Sequence, residues 1–294
     1  MKCLYFAVLF LAGFSNFSMG QPLSSLEMIK IGPSQQQNPF EDFVSVELSR
    51  PDYEDVSTLI PSDFTWLRIK YETGTYSWEE SWWDTDYPAA DQNFLRGVGR
   101  YTNIDARPSN HISLELMDEK LFEYSFLYFN FKSLPLEAQW NGPEFTEEEA
   151  LTLREFALRG GLILMDDLWS ENHFRSFLNE YIKIFPDREL VKLDPLASPS
   201  PEIFHMFYDI DEVLQVPGGG VTWQNGESFI LDDPRYPPAL YGVYDDDGRI
   251  MLLLSYNSDL GDGWEHTFFK KFPSKYSNYA YKLGINILIY AATH

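Results

Sequence analysis

Cysteine is almost absent from this chain of 294 residues, since its only copy is Cys3. A chain body without cysteine has no disulfide, no cysteine zinc site and no thiol nucleophile. Histidine is scarce as well, and no two of its five copies stand at the spacing of a helical zinc motif. The Gly-x-Ser-x-Gly motif of serine hydrolases is missing. No catalytic set is complete, which favours a protein that is not an enzyme.

Positive charge is the second shortage: 22 Lys and Arg stand against 45 Asp and Glu, which gives a net charge of -23. Such a surface repels the phosphate backbone and anionic lipid, so nucleic-acid binding and polybasic membrane docking are excluded. The chain is nevertheless 44% apolar and 17% aromatic, which is enough for a sizeable core. The expected partner is therefore an unidentified protein or small-molecule ligand.

The first residues have the features of a secretory signal. Lys2 precedes an apolar run, Cys3 to Phe14, and the small residues Ser18 and Gly20 follow it. The run is shorter than the roughly 20 apolar residues that span a bilayer, and no longer run occurs later. We therefore expect a signal peptide at residues 1–20, export to the periplasm or the medium, and no transmembrane segment in the mature chain.

The remaining sequence divides by composition. Residues 21–61 are rich in Ser, Gln, Pro and acids and show little periodicity, which predicts an extended leader. From residue 62 to 294 the pattern is that of one α/β domain. Two nearly continuous apolar runs, Ser125 to Phe131 and Leu162 to Met165, are typical of strands buried on both faces of a parallel sheet.

A helix separates these two strands. Thr146 and Glu149 form a predicted capping box at its start, and Gly160-Gly161 ends it. Strand, helix and strand in this order predict a three-layer α/β sandwich. A hairpin around Asp247-Gly248 is expected as an antiparallel addition near the C-terminus, followed by a closing helix from Ala280 to Ala292.

Asp166 and Asp167 are the best site candidates because they directly follow a predicted buried strand. In open α/β sheets, ligands bind beyond the carboxyl ends of the strands. The pair is therefore a candidate ligand site, and specifically a candidate site for a divalent cation, although no cofactor is established. The alternative is structural: Asp167 or Ser170 caps the next helix and has no further role.

Five more residues complete the candidate set. They are Trp169, which follows the acid pair, His205, Asp259, Trp264 and Glu265. His205 is flanked by apolar residues and is either a packed histidine or a functional one. The segment from Asn257 to Gly263 superficially resembles a calcium loop but lacks the acids of an EF-hand. We expect its turn to point Asp259, Trp264 and Glu265 toward a pocket.

A loop around residues 76–87 combines aromatic and acidic side chains. Sugar-binding surfaces use this combination, because aromatic rings stack on sugar rings and carboxylates accept hydroxyl hydrogen bonds. Aromatic residues that cover a small core have the same pattern, so both interpretations remain open.

Several motifs in a fixed order resemble the bacterial domain-of-unknown-function family 4159 over residues 64 to 293. They are Trp83-x-Thr85-Asp86-Tyr87-Pro88, Asn93-Phe94, the strand Phe126 to Phe131, Leu153-Arg154-Glu155-Phe156-x-x-Arg159-Gly160-Gly161 with Asp166-Asp167, Asp259-x-Gly261-x-Gly263-Trp264-Glu265, and Lys282-Leu283-Gly284-x-Asn286-Ile287-x-x-Tyr290-Ala291. The resemblance implies a flavodoxin-like sandwich similar to class I glutamine amidotransferases.

The same resemblance bears on activity. In that related fold, the strand after the Gly-Gly turn leads to the nucleophile, normally a cysteine, and here Asp166-Asp167 stand in its neighbourhood. Amidotransferase chemistry is therefore not expected. The first hypothesis is a non-catalytic exported module that binds a ligand or a protein. The alternative is a metal-assisted hydrolase acting on a glycan or envelope component, in which Asp166 and Asp167 hold the cation and His205 or Glu265 moves a proton.

Overall fold

A computed structural model describes residues 64–71, 82–131, 142–218 and 237–294 of the chain. These residues belong to one compact unit, residues 38–294. The predicted signal peptide and leader, and residues 76–81 of the aromatic loop, lie outside the described residues. Within the described part, no helix is both long enough and apolar enough to cross a bilayer.

A single seven-stranded sheet forms the centre of the fold, with the strand order β2-β1-β3-β4-β7-β6-β5. The strands are β1 (Trp66–Lys70), β2 (His111–Glu115), β3 (Phe126–Asn130), β4 (Leu162–Leu168), β5 (Val191–Leu193), β6 (Ala239–Tyr244) and β7 (Ile250–Tyr256). Strands β2, β1, β3, β4 and β7 run parallel. β6 pairs antiparallel with β7, and β5 pairs antiparallel with β6. β7 is therefore a neighbour of β4 inside the sheet and also one arm of an antiparallel pair.

Helices cover both faces of this sheet. They are α1 (Ala89–Tyr101), α2 (Glu147–Leu158), α3 (Ser170–Ile184), α4 (Leu260–Glu265) and α5 (Ser274–Thr293). Alternate residues of β3 point to opposite sides, so Tyr128 packs with α1 and α5 while Phe129 packs with α2 and α3. The described residues thus form a three-layer α/β fold, as the alternation of strands and helices predicted.

The local signals around α2 are confirmed. The Thr146 hydroxyl accepts a hydrogen bond from the Glu149 N–H at 3.2 Å, and the Glu149 carboxylate accepts one from the Thr146 N–H at 2.8 Å. Gly160 follows this helix with a φ of 107°, a conformation that glycine adopts without steric cost. The turn then leads into β4, whose seven residues are all buried.

The predicted boundaries of the closing helix were too short. α5 begins at Ser274, just after Pro273, rather than at Ala280. Its first two turns carry Tyr276 and Tyr279, whose rings are buried against the rest of the domain. Ser277 and Asn278 between them are buried as well, so polar residues within the packed part of the helix hide its first turns from a reading of hydrophobic runs.

Candidate functional site

The site lies where β1, β3, β4 and β7 end. The pairing register between β4 and β7 shifts between Met165 and Leu168, which is the pattern of a β-bulge. Within this bulge, Asp167 has a φ of 62°, in the left-handed region. The bulge lets two consecutive acids, Asp166 and Asp167, both contact the segment that follows β7.

Asp166 is fully buried and held by neighbours on two elements. Its Oδ2 accepts hydrogen bonds from the Tyr128 hydroxyl at 3.1 Å and from the Gly261 N–H at 3.0 Å. Burial raises the pKa of Asp166 to about 6, although hydrogen bonds from the N–H groups of Leu260 and Gly261 oppose that rise. This carboxylate therefore ties the end of β4 to the start of α4.

Asp167 is engaged by its own neighbour. The Trp169 indole N–H donates to its Oδ1 at 2.5 Å. Burial raises the pKa of Asp167 well above its ordinary value, and the charge of Asp166 raises it further, while hydrogen bonds with Trp169 and Asp259 act in the opposite direction. Trp169, which the sequence predicted as a ligand-binding residue, thus holds an acid in the structure, with its own ring buried.

The segment after β7 supplies two more buried acids. Asp259 caps α4, since its Oδ1 accepts a hydrogen bond from the Asp262 N–H at 2.8 Å. Asp262 is 4% exposed, and its Oδ1 lies 3.2 Å from Nε2 of His266. Its Oδ2 is buried and has no hydrogen-bond partner among the described residues. A buried carboxylate oxygen in that state is costly unless something else binds it.

Asp86 reaches the same place from the loop after β1. Its Oδ2 accepts a hydrogen bond from the side-chain amide of Asn130, at the end of β3, at 3.0 Å. A Cβ on Gly261 would lie 2.5 Å from that Oδ2, so a side chain at this position would collide with the acid. Glycine at 261 therefore permits the close approach of Asp86 to α4.

Arg68 fixes the loop that carries Asp86. Its guanidinium is fully buried, pairs with Asp91 of α1, and donates to the carbonyl oxygens of Trp83 and Thr85 at 3.0 and 2.9 Å. The Arg68 guanidinium also lies 4.8 Å from the centroid of the Tyr128 ring. The conformation of residues 83–85 is thus set from the core.

Burial, and after it like charge, acts on the acid cluster, which we define as Asp86, Asp166, Asp167, Asp259, Asp262 and Glu265. Burial raises the pKa of Asp86 well above its usual value, and the charges of Asp262 and Glu265 raise it further, whereas Arg68 opposes the rise. Burial and the charges of Asp167 and Asp262 likewise raise the pKa of Asp259. Ionisation of Asp86, Asp167 and Asp259 is therefore opposed both by burial and by neighbouring acids, and either a proton or a bound cation would relieve it.

Two groups within this region have the geometry to hold a cation. Asp86, Asp259 and Asp262 each offer an oxygen within 4.8 Å of the others, and Asp262, Glu265 and His266 each offer one ligand atom within the same limit. Oxygen ligands suit Mg²⁺, Ca²⁺ and Mn²⁺. Asp166 and Asp167 belong to neither group. Oδ2 of Asp166 and Oδ1 of Asp167 accept hydrogen bonds from Tyr128, Gly261 and Trp169, whereas Oδ1 of Asp166 is buried without a partner in the described residues.

The backbone around the cluster is strained. The non-glycine residues with positive φ in the described part of the chain are Asp86, Asp167, Ser170 and Asn257, with φ values of 61°, 62°, 67° and 50°. Two are cluster acids, and the Asn257 Oδ1 accepts a hydrogen bond from the Ser170 N–H at 2.9 Å. Such conformations cost on the order of 1–3 kcal/mol each and concentrate at functional sites.

The sequence identified part of this site. Asp166, Asp167, Trp169, Asp259 and Glu265 all lie at it, but the prediction that the first two hold a cation remains only a prediction. Trp264 faces away, fully buried in the aromatic core against Phe94 and Trp66. His205 is exposed after a 3-10 turn, Glu202–Phe204, that packs on α5 through Asn286, and no described contact joins it to the acid cluster.

Three residues were missed as site members. Asp86 stands in the loop after β1, and the rule applied to Asp166, that acids beyond a strand end are site candidates, would have selected it too. Asp262 and His266 come three and seven residues after Asp259, and this spacing places the three side chains on one side of α4 and its caps. That signal was discounted because the segment failed the EF-hand pattern.

The family model for a domain of unknown function, DUF4159, matches residues 67–292. That range includes all seven strands except Trp66, the first residue of β1, and every residue of the acid cluster. The chain belongs to the DUF4159 family. No curated protein matches it. Membership in DUF4159 confirms the resemblance stated above at the level of the family, and the arguments about activity rest on the geometry of the acid cluster.

Proposed function

We propose that this DUF4159 protein is a non-catalytic exported binding module whose acid cluster takes up a divalent cation, through which it holds a ligand or a protein partner. The observation that carries the proposal is the convergence of Asp86, Asp259 and Asp262, whose oxygens lie within 4.8 Å of one another. The buried Oδ2 of Asp262, which has no hydrogen-bond partner in the described residues, gives the cation a ready ligand.

The physical argument concerns the free-energy cost of burying several carboxylates close together. Asp259 and Asp262 are 2% and 4% exposed, so water screens their mutual repulsion little. The cap of α4 does not require that many acids in one place, because one residue, Asp259, supplies the side-chain cap. A divalent cation would convert the repulsion into attraction, as metal ions do wherever carboxylates converge.

The finer fold assignment supports the same proposal. The parallel strands β2, β1, β3, β4 and β7 follow the order 2-1-3-4-5 that characterises flavodoxin-like sheets. We take the domain to be flavodoxin-like and similar to class I glutamine amidotransferases, with β6 and β5 as an antiparallel extension. The acids at the end of β4 stand near the position of the amidotransferase nucleophile, and the chain has no cysteine after Cys3. This supports binding rather than amidotransferase chemistry.

Thermal unfolding tests the proposal. The protein is measured in EDTA and in millimolar Mg²⁺, Ca²⁺, Mn²⁺ or Zn²⁺, and so is the double variant Asp259→Asn/Asp262→Asn. A cation that binds only the folded state adds about 2.7 kcal/mol at 100 times its dissociation constant. We expect such a rise in the wild type and its loss in the double variant.

The control removes two acids elsewhere. Glu119 and Glu123 are exposed on a 3-10 turn, and the variant Glu119→Gln/Glu123→Gln has the same change of charge. It should keep the full response to the cation. If no cation stabilises the wild type, or if the control loses the response equally, cation binding at the acid cluster is refuted.

A second candidate function is a metal-assisted hydrolase acting on a glycan or envelope component. Glu265 and His266, whose Oε2 and Nε2 lie 3.1 Å apart beside Asp262, favour it because both groups can move a proton next to a cation. The measurement is hydrolysis of cell-envelope polysaccharide by the cation-loaded protein. Turnover lost in Glu265→Gln, with cation binding retained, would replace the binding module by this function.

A further inference from the structure

We propose that the acid cluster holds two cations that share Asp262: one at an oxygen-only position made by Asp86, Asp259 and Asp262, and one at a mixed position made by Asp262, Glu265 and His266. This inference rests on the proposed function for the first position and extends it to a second of different chemistry. Its starting point is that Asp262 is common to both groups of converging ligand atoms.

The mixed position has the spacing of a coordination shell. The Nε2 atom of His266 lies 3.2 Å from Oδ1 of Asp262 and 3.1 Å from Oε2 of Glu265. Ligands about 2.1 Å from one ion and at right angles to each other are separated by about 3 Å. The side chains of His266 and Glu265 are 13% and 20% exposed, so an ion has access from one side.

Asp262 has the capacity to serve both positions. Its Oδ1 faces His266, whereas its Oδ2 is buried without a hydrogen-bond partner in the described chain. An ionised carboxylate offers about four lone-pair sites on two oxygens, so it can bind one ion with each oxygen. Paired ions in two-metal sites lie about 3.5–4 Å apart, a separation that one carboxylate spans.

The local sequence explains why these ligands meet. Asp259 caps α4, Asp262 is three residues later, and Glu265 and His266 follow at three and four residues from Asp262. Residues three and four apart lie on one side of a helix, so this single segment supplies four of the five ligands. Asp86 then completes the set from the loop after β1.

The two positions differ in the ions they prefer. Oxygen ligands alone suit Mg²⁺, Ca²⁺ and Mn²⁺, whereas an imidazole nitrogen suits Zn²⁺ and Ni²⁺. The competing explanation is that protonated His266 forms an ion pair with the two acids and no second ion binds. Mn²⁺ binds both kinds of ligand, and Co²⁺ reports nitrogen ligation through its visible absorption, so these two ions separate the explanations.

The experiment counts bound ions by calorimetric titration of the metal-free protein with Mn²⁺. We expect two Mn²⁺ per chain in the wild type and one in His266→Ala, Glu265→Gln or Asp259→Asn. In Asp262→Asn, affinity should fall at both positions. With Mg²⁺ in excess, Co²⁺ should still bind once, and its spectrum should change in His266→Ala.

His205→Ala is the matched control, because His205 is exposed and belongs to neither position. It should keep two Mn²⁺ and the wild-type Co²⁺ spectrum. If the wild type binds one Mn²⁺ per chain and His266→Ala still binds it, the second position is overturned and the proposed function stands. If His266→Ala binds one ion fewer and Asp259→Asn binds as many ions as the wild type, the oxygen-only position is refuted instead. If the protein binds no Mn²⁺ and no Co²⁺, both proposals fail together.

Discussion

Two buried charged regions meet at Tyr128, and they differ in whether their charges are balanced by neighbours of opposite charge. Around Arg68, every partner is complementary: Asp91 pairs with the guanidinium, and two carbonyl oxygens accept its remaining hydrogen bonds. In the acid cluster, carboxylates face one another. The Tyr128 hydroxyl donates to Asp166 of the cluster, while its ring lies against Arg68.

The difference separates structure from function. A satisfied buried pair orders the chain around it, and here it fixes the loop that presents Asp86. An unbalanced cluster does not by itself stabilise the fold, which is the ground for the proposal that it binds a cation. The region around Arg68 therefore positions the acid cluster, and substitutions in the two regions should have opposite effects on stability.

The largest expected effect is the loss of the buried pair. Arg68→Ala leaves Asp91 buried and uncompensated, which should lower the free energy of unfolding by about 3–5 kcal/mol. Urea unfolding measures it. Arg107→Ala is the control, because the pair of Arg107 with Asp105 is exposed and such pairs contribute little. If the two variants lose similar stability, the contrast between the regions is wrong.

The next effect concerns pH in the absence of cations. The pKa of Asp166 rises from 3.8 to about 6 on folding, so the folded state binds the proton more tightly than the unfolded state. This stabilisation is complete below about pH 4 and is lost as the pH rises through about 6, at about 1.4 kcal/mol per pKa unit.

Unfolding in EDTA at about pH 5 and about pH 7.5 measures this change. Asp166→Asn keeps an oxygen for Tyr128 and Gly261 but has no proton to exchange, so its stability should depend less on pH. A wild type that becomes more stable across this range, or a variant with the same slope, would show that burial does not raise the pKa of Asp166 as expected.

The smallest expected loss of stability concerns Tyr128, which contacts both regions. Tyr128→Phe removes the hydrogen bond to Asp166 but keeps the ring beside Arg68, and we expect a loss of about 1 kcal/mol. Denaturant unfolding measures it, and Tyr208→Phe, whose ring packs at the edge of the core, is a comparison. A loss near that of Arg68→Ala would mean that the two regions are one network.

The fold could be predicted further than the site. Buried strands such as β3 and β4 are continuous apolar runs, and the capping box at Thr146 is a local signal, so both could be identified without tertiary information. The start of α5 could not, because its first turns bury the polar residues Ser277 and Asn278 along with two tyrosines, so no apolar run marks them.

The acid cluster depends on contacts between distant segments. Asp166 could be placed by the strand-end rule, but nothing local shows that Asp86 meets Asp262, since the sheet order brings them together. Trp264 lies between Asp262 and Glu265, which face the cluster, but its own ring packs on Phe94. Its neighbours in the sequence therefore do not show where its ring lies. His205 does not follow a predicted strand end, and the only feature that made it a candidate was that apolar residues flank it.

The oxygen-only position joins two parts of the chain that are far apart in sequence. Asp86 follows β1, the first strand of the sheet, and Asp259 and Asp262 follow β7, the last. An ion held by all three is therefore a cross-link that closes a loop around most of the domain, and long loops gain the most from closure because the unfolded chain loses the most entropy. Secreted proteins commonly obtain this from disulfides, which a chain with one cysteine cannot form internally. Unlike a disulfide, this link would open with a chelator and close again without a redox reaction.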